Sequence, residues 1–252
     1  MSVRRSVPFL LGPILLIAWG SLGASALVLP RSALRSVVKA CELAKLTIGT
    51  PLPCLAVDLK SPGYAILRAP GRSTHVITVP LRPIAGLEDP DLQRDEAAEY
   101  WRAAWEARRY VVAATKDKAS LDQVGLAINS ARTRSQDQLH IHAGCIRDDV
   151  IRSLLSQTKQ VSERQWLRSQ HQVGRGYPFL KILAADVFKS QNANLFRLLA
   201  DVPGGRPGTT GMSALLIQIP DGTGRYMFAA QRPARASVES YFDDGCEASV
   251  GP

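Results

Sequence analysis

LAINSARTRSQDQLHIHAGC, residues 126–145, closes on a run in which Leu139, Ile141 and Ala143 alternate with His140 and His142. Alternation with period two is the pattern of a half-buried strand. Side chains two apart on a strand share a face, so both imidazoles point the same way, with Cα atoms about 6.5 Å apart. The polar loop 130–138 runs into this strand and gathers Ser130, Thr133, Ser135 and Gln136 beside the histidines. Two of the chain's four histidines are thus presented together, next to a loop rich in hydrogen-bond donors.

Working outward, residues 32–45 place Leu34, Val37, Val38 and Cys41 at helical spacing. Residues 54–59, 64–69 and 75–79 read as strands, with Ser61-Pro62-Gly63 turning between the first two. His75, alone at the head of its strand, reads as a hydrogen-bonded surface residue. Residues 80–90 form a loop with its own turn at Gly86. Residues 91–115 make the strongest helix, with Asp91 as cap and Trp101 and Trp105 facing the core. Beyond the histidine strand, residues 149–160, 163–170, 180–188 and 193–200 read as helices, and 172–178 and 202–210 as connections. Residues 214–219 and 226–231 form a hairpin over Asp221-Gly222, and a short helix at 236–244 precedes Gly245-Cys246. This order predicts an α+β fold, an antiparallel sheet with flanking helices.

The run 7–29 carries no charge and follows Arg4 and Arg5. It is long enough to cross a bilayer, which takes roughly 20 apolar residues. Ala24-Ser25-Ala26 resembles a signal-peptidase site. A retained anchor over residues 1–30 is preferred to a cleaved signal, and both readings export the domain 31–252 if the two arginines stay inside. The expected location is the inner membrane, single-pass, with the domain on the exported, periplasmic side. Cys41, Cys54, Cys145 and Cys246 form an even set without a CxxC pair, which fits disulfides in an oxidising compartment better than metal. Of three possible connectivities, Cys41–Cys54 with Cys145–Cys246 is preferred. The first closes a short loop held by Pro51 and Pro53, and the second pins the tail just past the histidine strand.

A formal charge of +9 implies an anionic partner: nucleic acid, a phospholipid surface or a phosphorylated substrate. With no long Lys/Arg block, no zinc-finger spacing and few aromatics, nucleic acid ranks last. No protein partner is inferred. A catalytic zinc needs three protein ligands, and the histidine pair lacks an obvious third, so no metal is expected. Two structural histidines on a strand are the bland alternative. The chemical one is a neutral imidazole attacking phosphorus, which splits one displacement into two and needs no cofactor. Its other nitrogen should then donate to a backbone carbonyl, and donors around the phosphate stabilise charge on its oxygens.

Asn129, Ser135-Gln136 and His140-Ile141-His142 together resemble the histidine-triad (HIT-like) nucleotide hydrolases and transferases. Within them, AINS…RSQDQLHIH…C, the PxxxIxGxExP of Pro80, Ile84, Gly86, Glu88 and Pro90, the WRAAWEAR of residues 101–108 and the AAQR of residues 229–232 are similar to the CDP-diacylglycerol pyrophosphatases. The resemblance implies a HIT-like sheet and a phosphoric anhydride hydrolase acting on CDP-diacylglycerol in the membrane, releasing CMP and phosphatidate. It implies His142 as nucleophile through a nucleotidyl-histidine, His140 as its orienting partner, and Asn129, Ser135 and Gln136 on phosphate oxygens. Arg134, with Arg132, is a pyrophosphate candidate. The triad's third histidine falls at Gly144, which puts its hydrogen bond in question. Two other readings stand beside it: a nucleotidyl hydrolase or transferase using a soluble CDP- or ADP-linked substrate, and a non-catalytic exported lipid- or nucleotide-binding protein.

Overall fold

Nine strands join in one sheet in the computed structural model, which describes residues 30–116, 118–190, 193–204, 211–232 and 237–246. They are β1 (Ala56–Asp58), β2 (Tyr64–Arg68), β3 (Val76–Pro80), β4 (Val124–Ile128), β5 (Ile141–Cys145), β6 (Leu167–Arg168), β7 (Phe179–Leu183), β8 (Ser213–Gln218) and β9 (Tyr226–Gln231). Their spatial order is β1-β2-β3-β5-β4-β8-β9-β7-β6, with every neighbouring pair antiparallel. The α-helices are α1 (Ala33–Ile48), α2 (Ala98–Ala114), α3 (Asp148–Leu155) and α4 (Leu195–Ala200). Among the described residues no helix is long and apolar enough to cross a membrane. The predicted anchor or signal run 7–29 lies outside them.

The alternation in β5 divides the molecule. Ile141, Ala143 and Cys145 join Tyr100, Trp101 and Val111 of α2 and Phe196 of α4 in the main core. His140 and His142 therefore face the other side, which carries two separate covers. Over one flank, Leu34, Val38 and Cys41 of α1 pack on Leu67, Ile77 and Val79. Over the other, Val150 and Leu154 of α3, with Tyr241 and Phe242 of the tail, pack on Ala127, Leu215 and Met227. Each fully buried Leu or Val here contributes about 2 kcal/mol. The histidines sit in the seam between the two covers.

Both preferred disulfides are present, Cys41–Cys54 beneath α1 and Cys145–Cys246 between β5 and the tail. Four local expectations change. Residues 180–188 read as a helix, yet Phe179–Leu183 pairs along its whole length with β9. A short apolar run fits either period, and the open edge of β9, whose backbone groups need partners, settles it as a strand. Residues 163–170 likewise yield only the two-residue edge strand β6. The helix expected over 91–115 breaks into 3-10 turns at Pro90–Gln93 and Asp95–Ala97 before α2. Asp89, not Asp91, caps the first turn by accepting from the Asp91 N–H, while the Asp91 carboxylate pairs with Arg82 and Arg94. The tail helix expected over 236–244 is a single 3-10 turn, Val238–Tyr241.

Candidate active site

The loop that delivers the histidines is stitched to the loop before it. Gln138 Nε2 donates to the carbonyls of Pro80 and Arg82 at 3.0 and 2.8 Å, and the Leu139 N–H donates to the Ile84 carbonyl at 2.6 Å. Arg134, its side chain largely buried, pairs with Glu88 at 2.6 Å and Asp137 at 3.0 Å. A Cβ at Gly86 would lie 2.2 Å from Arg134 Nη1, so only glycine lets the guanidinium in. The PxxxIxGxExP stretch is thus a clamp on the histidine loop. The structure does not bring Arg134 into the cleft lining, and Arg132 is exposed outside it. WRAAWEAR is likewise scaffolding: Trp101, Ala104 and Trp105 are buried in the main core behind β5.

Gln136 anchors α1. Its Oε1 accepts from the Leu34 N–H at 2.8 Å, its Nε2 donates to the Pro30 carbonyl at 3.3 Å, and Arg31 pairs with Asp137 beside it at 2.7 Å. Gln136 and Ser135 nonetheless line a cleft of about 850 Å³ together with His75, His140, His142 and Glu239. Asn129 is positioned by the tail: its Oδ1 accepts from the Val238 N–H at 2.9 Å, and its Nδ2 donates to Glu239 Oε2 at 3.1 Å and lies 3.4 Å from His142 Nε2.

His140 Nδ1 donates to the Gln138 carbonyl at 2.7 Å, the backbone bond expected of a catalytic imidazole. His142 differs. Its Nδ1 lies 3.0 Å from Nε2 of His75, and its own Nε2 lies 3.5 Å from Glu239 Oε1. His75, expected on the surface, is 1% exposed. It precedes an interior strand, and the ring of Phe242, on the disulfide-pinned tail, packs against it with centroids 4.7 Å apart. The β3–β5 register pairs Val76 with Ala143 and Ile77 with His142, so one further step sets His75 opposite Gly144. A Cβ at Gly144 would lie 3.1 Å from the Phe242 ring, leaving no room for a histidine. A third imidazole thus stands beside the pair, from the residue preceding β3, at the register position opposite Gly144.

Sequence reasoning missed this role of His75, and it missed Ser237 and Glu239 altogether. Register across a long connection supplies the first. The tail residues carry no motif, and only the expected Cys145–Cys246 bridge, which pins the tail near β5, points to them.

The profile of the CDP-diacylglycerol pyrophosphatase family matches residues 30–250. The chain belongs to this family. It is similar to the CDP-diacylglycerol pyrophosphatase of Yersinia pestis, 29% identical over 205 residues, which is 78% of this chain and 76% of that one. It is 32% identical to the CDP-diacylglycerol pyrophosphatase of Mycobacterium bovis (strain BCG / Pasteur 1173P2) over 158 residues, 62% of this chain and 59% of the relative. The family match takes in every element of the cleft, from α1 to Cys246 in the tail.

Electrostatics suit neutral imidazoles. Burial, with Arg72 and His140 nearby, lowers His75 to about 4. Burial lowers His140 as well, and burial with His140, His75 and Arg72 holds His142 well below the ordinary value. Unfolded, each titrates near 6.5. Between about pH 6.5 and 4 the unfolded chain therefore binds protons that the folded chain refuses, and stability falls as pH falls. Above that window these groups add no pH dependence. Urea unfolding at pH 7.5 and 4.5 is expected to differ by on the order of 3 kcal/mol for His75 alone. Equal stability at the two pH values would contradict buried neutral histidines.

Proposed function

We propose that this chain hydrolyses the pyrophosphate of CDP-diacylglycerol to CMP and phosphatidate, with His142 as nucleophile. The observation that carries the reading is the His75–His142 contact in a cleft belonging to this family. With Nδ1–H of His142 donating to His75 Nε2, the Nε2 lone pair of His142 faces the cleft beside Asn129 Nδ2 at 3.4 Å, a contact the substrate displaces. That pair attacks the cytidine-side phosphorus. The bridging P–O bond breaks, its electrons leave on phosphatidate, and cytidylyl-His142 remains. Water then attacks the same phosphorus, giving its proton to Glu239, and the P–N electrons return to Nε2. The hydroxyls of Ser135, Thr133 and Ser237 line the cleft for phosphate oxygens, and Asn129 Nδ2, held beside His142 Nε2 and Glu239, joins them when substrate replaces those contacts.

A HIT-like ancestry fits this layout, with His75 in the third position. Two disulfides support an oxidising compartment, and we place the domain on the exported side, held at the inner membrane by the run 7–29. A surface of net positive charge suits anionic lipid.

Full-length protein given CDP-diacylglycerol labelled at the cytidine-side phosphate, and quenched in alkaline detergent, is expected to carry label on His142. CMP release with no labelled protein during steady turnover would remove the covalent step. His75 is a positioning residue in this scheme. His75→Ala is expected to lower kcat by about 10–100-fold with KM little changed, and His75→Gln, whose amide oxygen accepts the same proton, to recover part of it. A purely structural role would lower thermal stability in both variants and give no such rescue.

A further inference from the structure

The cleft has a second limb that the phosphate chemistry does not use. Leu34 and Val37 of α1 line it together with Leu55, Leu67 and Ile77, along the seam where α1 packs on the sheet. Resting on the function proposed above, we propose that this limb seats the acyl chains of the lipid substrate.

Three observations select that occupant. The limb is aliphatic: among the described residues that line the cleft there is no Phe, Tyr or Trp, so a pyrimidine would find no aromatic face to stack on. It opens past Val37, which is 37% exposed. On the same side of α1, three turns further, Ile48 is 69% exposed, and Leu43, Leu46 and Leu52 around that end are similarly bare. Apolar side chains therefore line the cleft from the histidines out to the exposed Val37, and further bare apolar residues follow on α1. Finally, α1 starts directly after the uncharged run 7–29, so an anchored chain holds this wall of the cleft beside the bilayer. Arg35 and Lys39 on the outer face of α1 add affinity for anionic headgroups. Arg68 and Arg72 line the same cleft, Arg68 donating to the Ser73 carbonyl and Arg72 paired with Asp244 at 3.0 Å, and their remaining N–H groups supply positive charge for the phosphatidate-side phosphate.

The lipid thus enters lengthwise, acyl chains along the edge where α1 packs on β2–β3, pyrophosphate at His142. The Cys41–Cys54 bridge ties the back of α1 to the segment leading into β1 and, with the packing of Leu34 and Val38 on Leu67 and Ile77, fixes the seam along which the chains lie.

The test compares long-chain CDP-diacylglycerol in detergent micelles with CDP-glycerol, which has the same pyrophosphate and no chains. Wild-type protein is expected to prefer the lipid in kcat/KM, and Val37→Asp to cut that preference by about tenfold or more, because a carboxylate is placed against hydrocarbon. Val37→Leu keeps the preference. An independent measurement uses a CDP-diacylglycerol with a photoactivatable group in one acyl chain, expected to label peptides from α1 and β2. Hydrolysis of both substrates with no chain preference, or labelling confined to α3 or the tail, overturns the subsite and leaves the proposed function standing. Labelling of α1 and β2 only after removal of residues 1–29 also overturns it, since the run itself would then fill the limb. Failure to hydrolyse either substrate overturns the function instead.

Discussion

His142→Ala is expected to lower kcat/KM for CDP-diacylglycerol by about 10³-fold or more, with the fold retained. The large effect follows from chemistry: without Nε2 there is no acceptor for the cytidylyl group, and direct attack by water must proceed on positioning alone. The fold should survive because His142 faces the seam rather than the main core, and its strand is held by Ile141, Ala143 and Cys145 behind it. Losing its bonds to His75 and Asn129 costs about 1–3 kcal/mol in stability. Circular dichroism and thermal melting check the fold, and turnover on labelled substrate checks the activity. His140→Ala should be milder, because His140 already spends its Nδ1–H on the Gln138 carbonyl and acts by packing against His142, ring centroids 4.7 Å apart. If His142→Ala retained most of its turnover while His140→Ala abolished it, the two roles would have to be exchanged.

The histidine strand was legible because its period-two pattern is strict over five residues and one face is wholly apolar. The same local logic failed at residues 180–188, where FLKIL is too short to fix a period and a distant strand, β9, decides the outcome. Asn129 and the histidine pair were visible as a local cluster, and the structure brings them together. His75 was misjudged because its environment is made entirely by remote residues: Gly144 across the register, and Phe242, brought over from the C-terminal tail. Arg134 was misjudged in the opposite sense. Its proximity in sequence to Ser135-Gln136 suggested a phosphate contact, while its partner, Glu88, lies in a different loop and holds it in an ion pair. Charge on a loop says little about which way the side chain is drawn.

Removing the Cys145–Cys246 bridge, by Cys145→Ala with Cys246→Ala, is expected to lower stability by about 3–5 kcal/mol and to reduce activity by more than stability alone explains. The bridge spans 101 residues of chain, and the chain-entropy account assigns a closed loop of about 100 residues roughly 4.7 kcal/mol. For a domain of this size that is a fall in Tm of about 10–15 °C. The catalytic effect has a separate origin. The tail segment leading to Cys246 carries Glu239 beside His142, Val238 whose N–H orients Asn129, and Phe242 over His75. Other bonds hold the tail too: Arg147 N–H donates to the Tyr241 carbonyl at 2.9 Å, and Asp243 N–H to the Cys145 carbonyl at 2.8 Å. The freed tail should therefore stay partly docked and exchange, so kcat falls well below the melting point while the sheet remains folded. The companion pair Cys41→Ala with Cys54→Ala removes a bridge that closes a separation of only 13 residues under α1, and leaves the tail in place. It is expected to weaken lipid turnover with smaller loss on CDP-glycerol. Melting and initial rates, measured on both double variants and on protein treated with reductant, separate the two bridges. Full activity in the Cys145/Cys246 double variant at 25 °C would show that the tail reaches His142 without its covalent tie, and Glu239 would then be held by its hydrogen bonds alone.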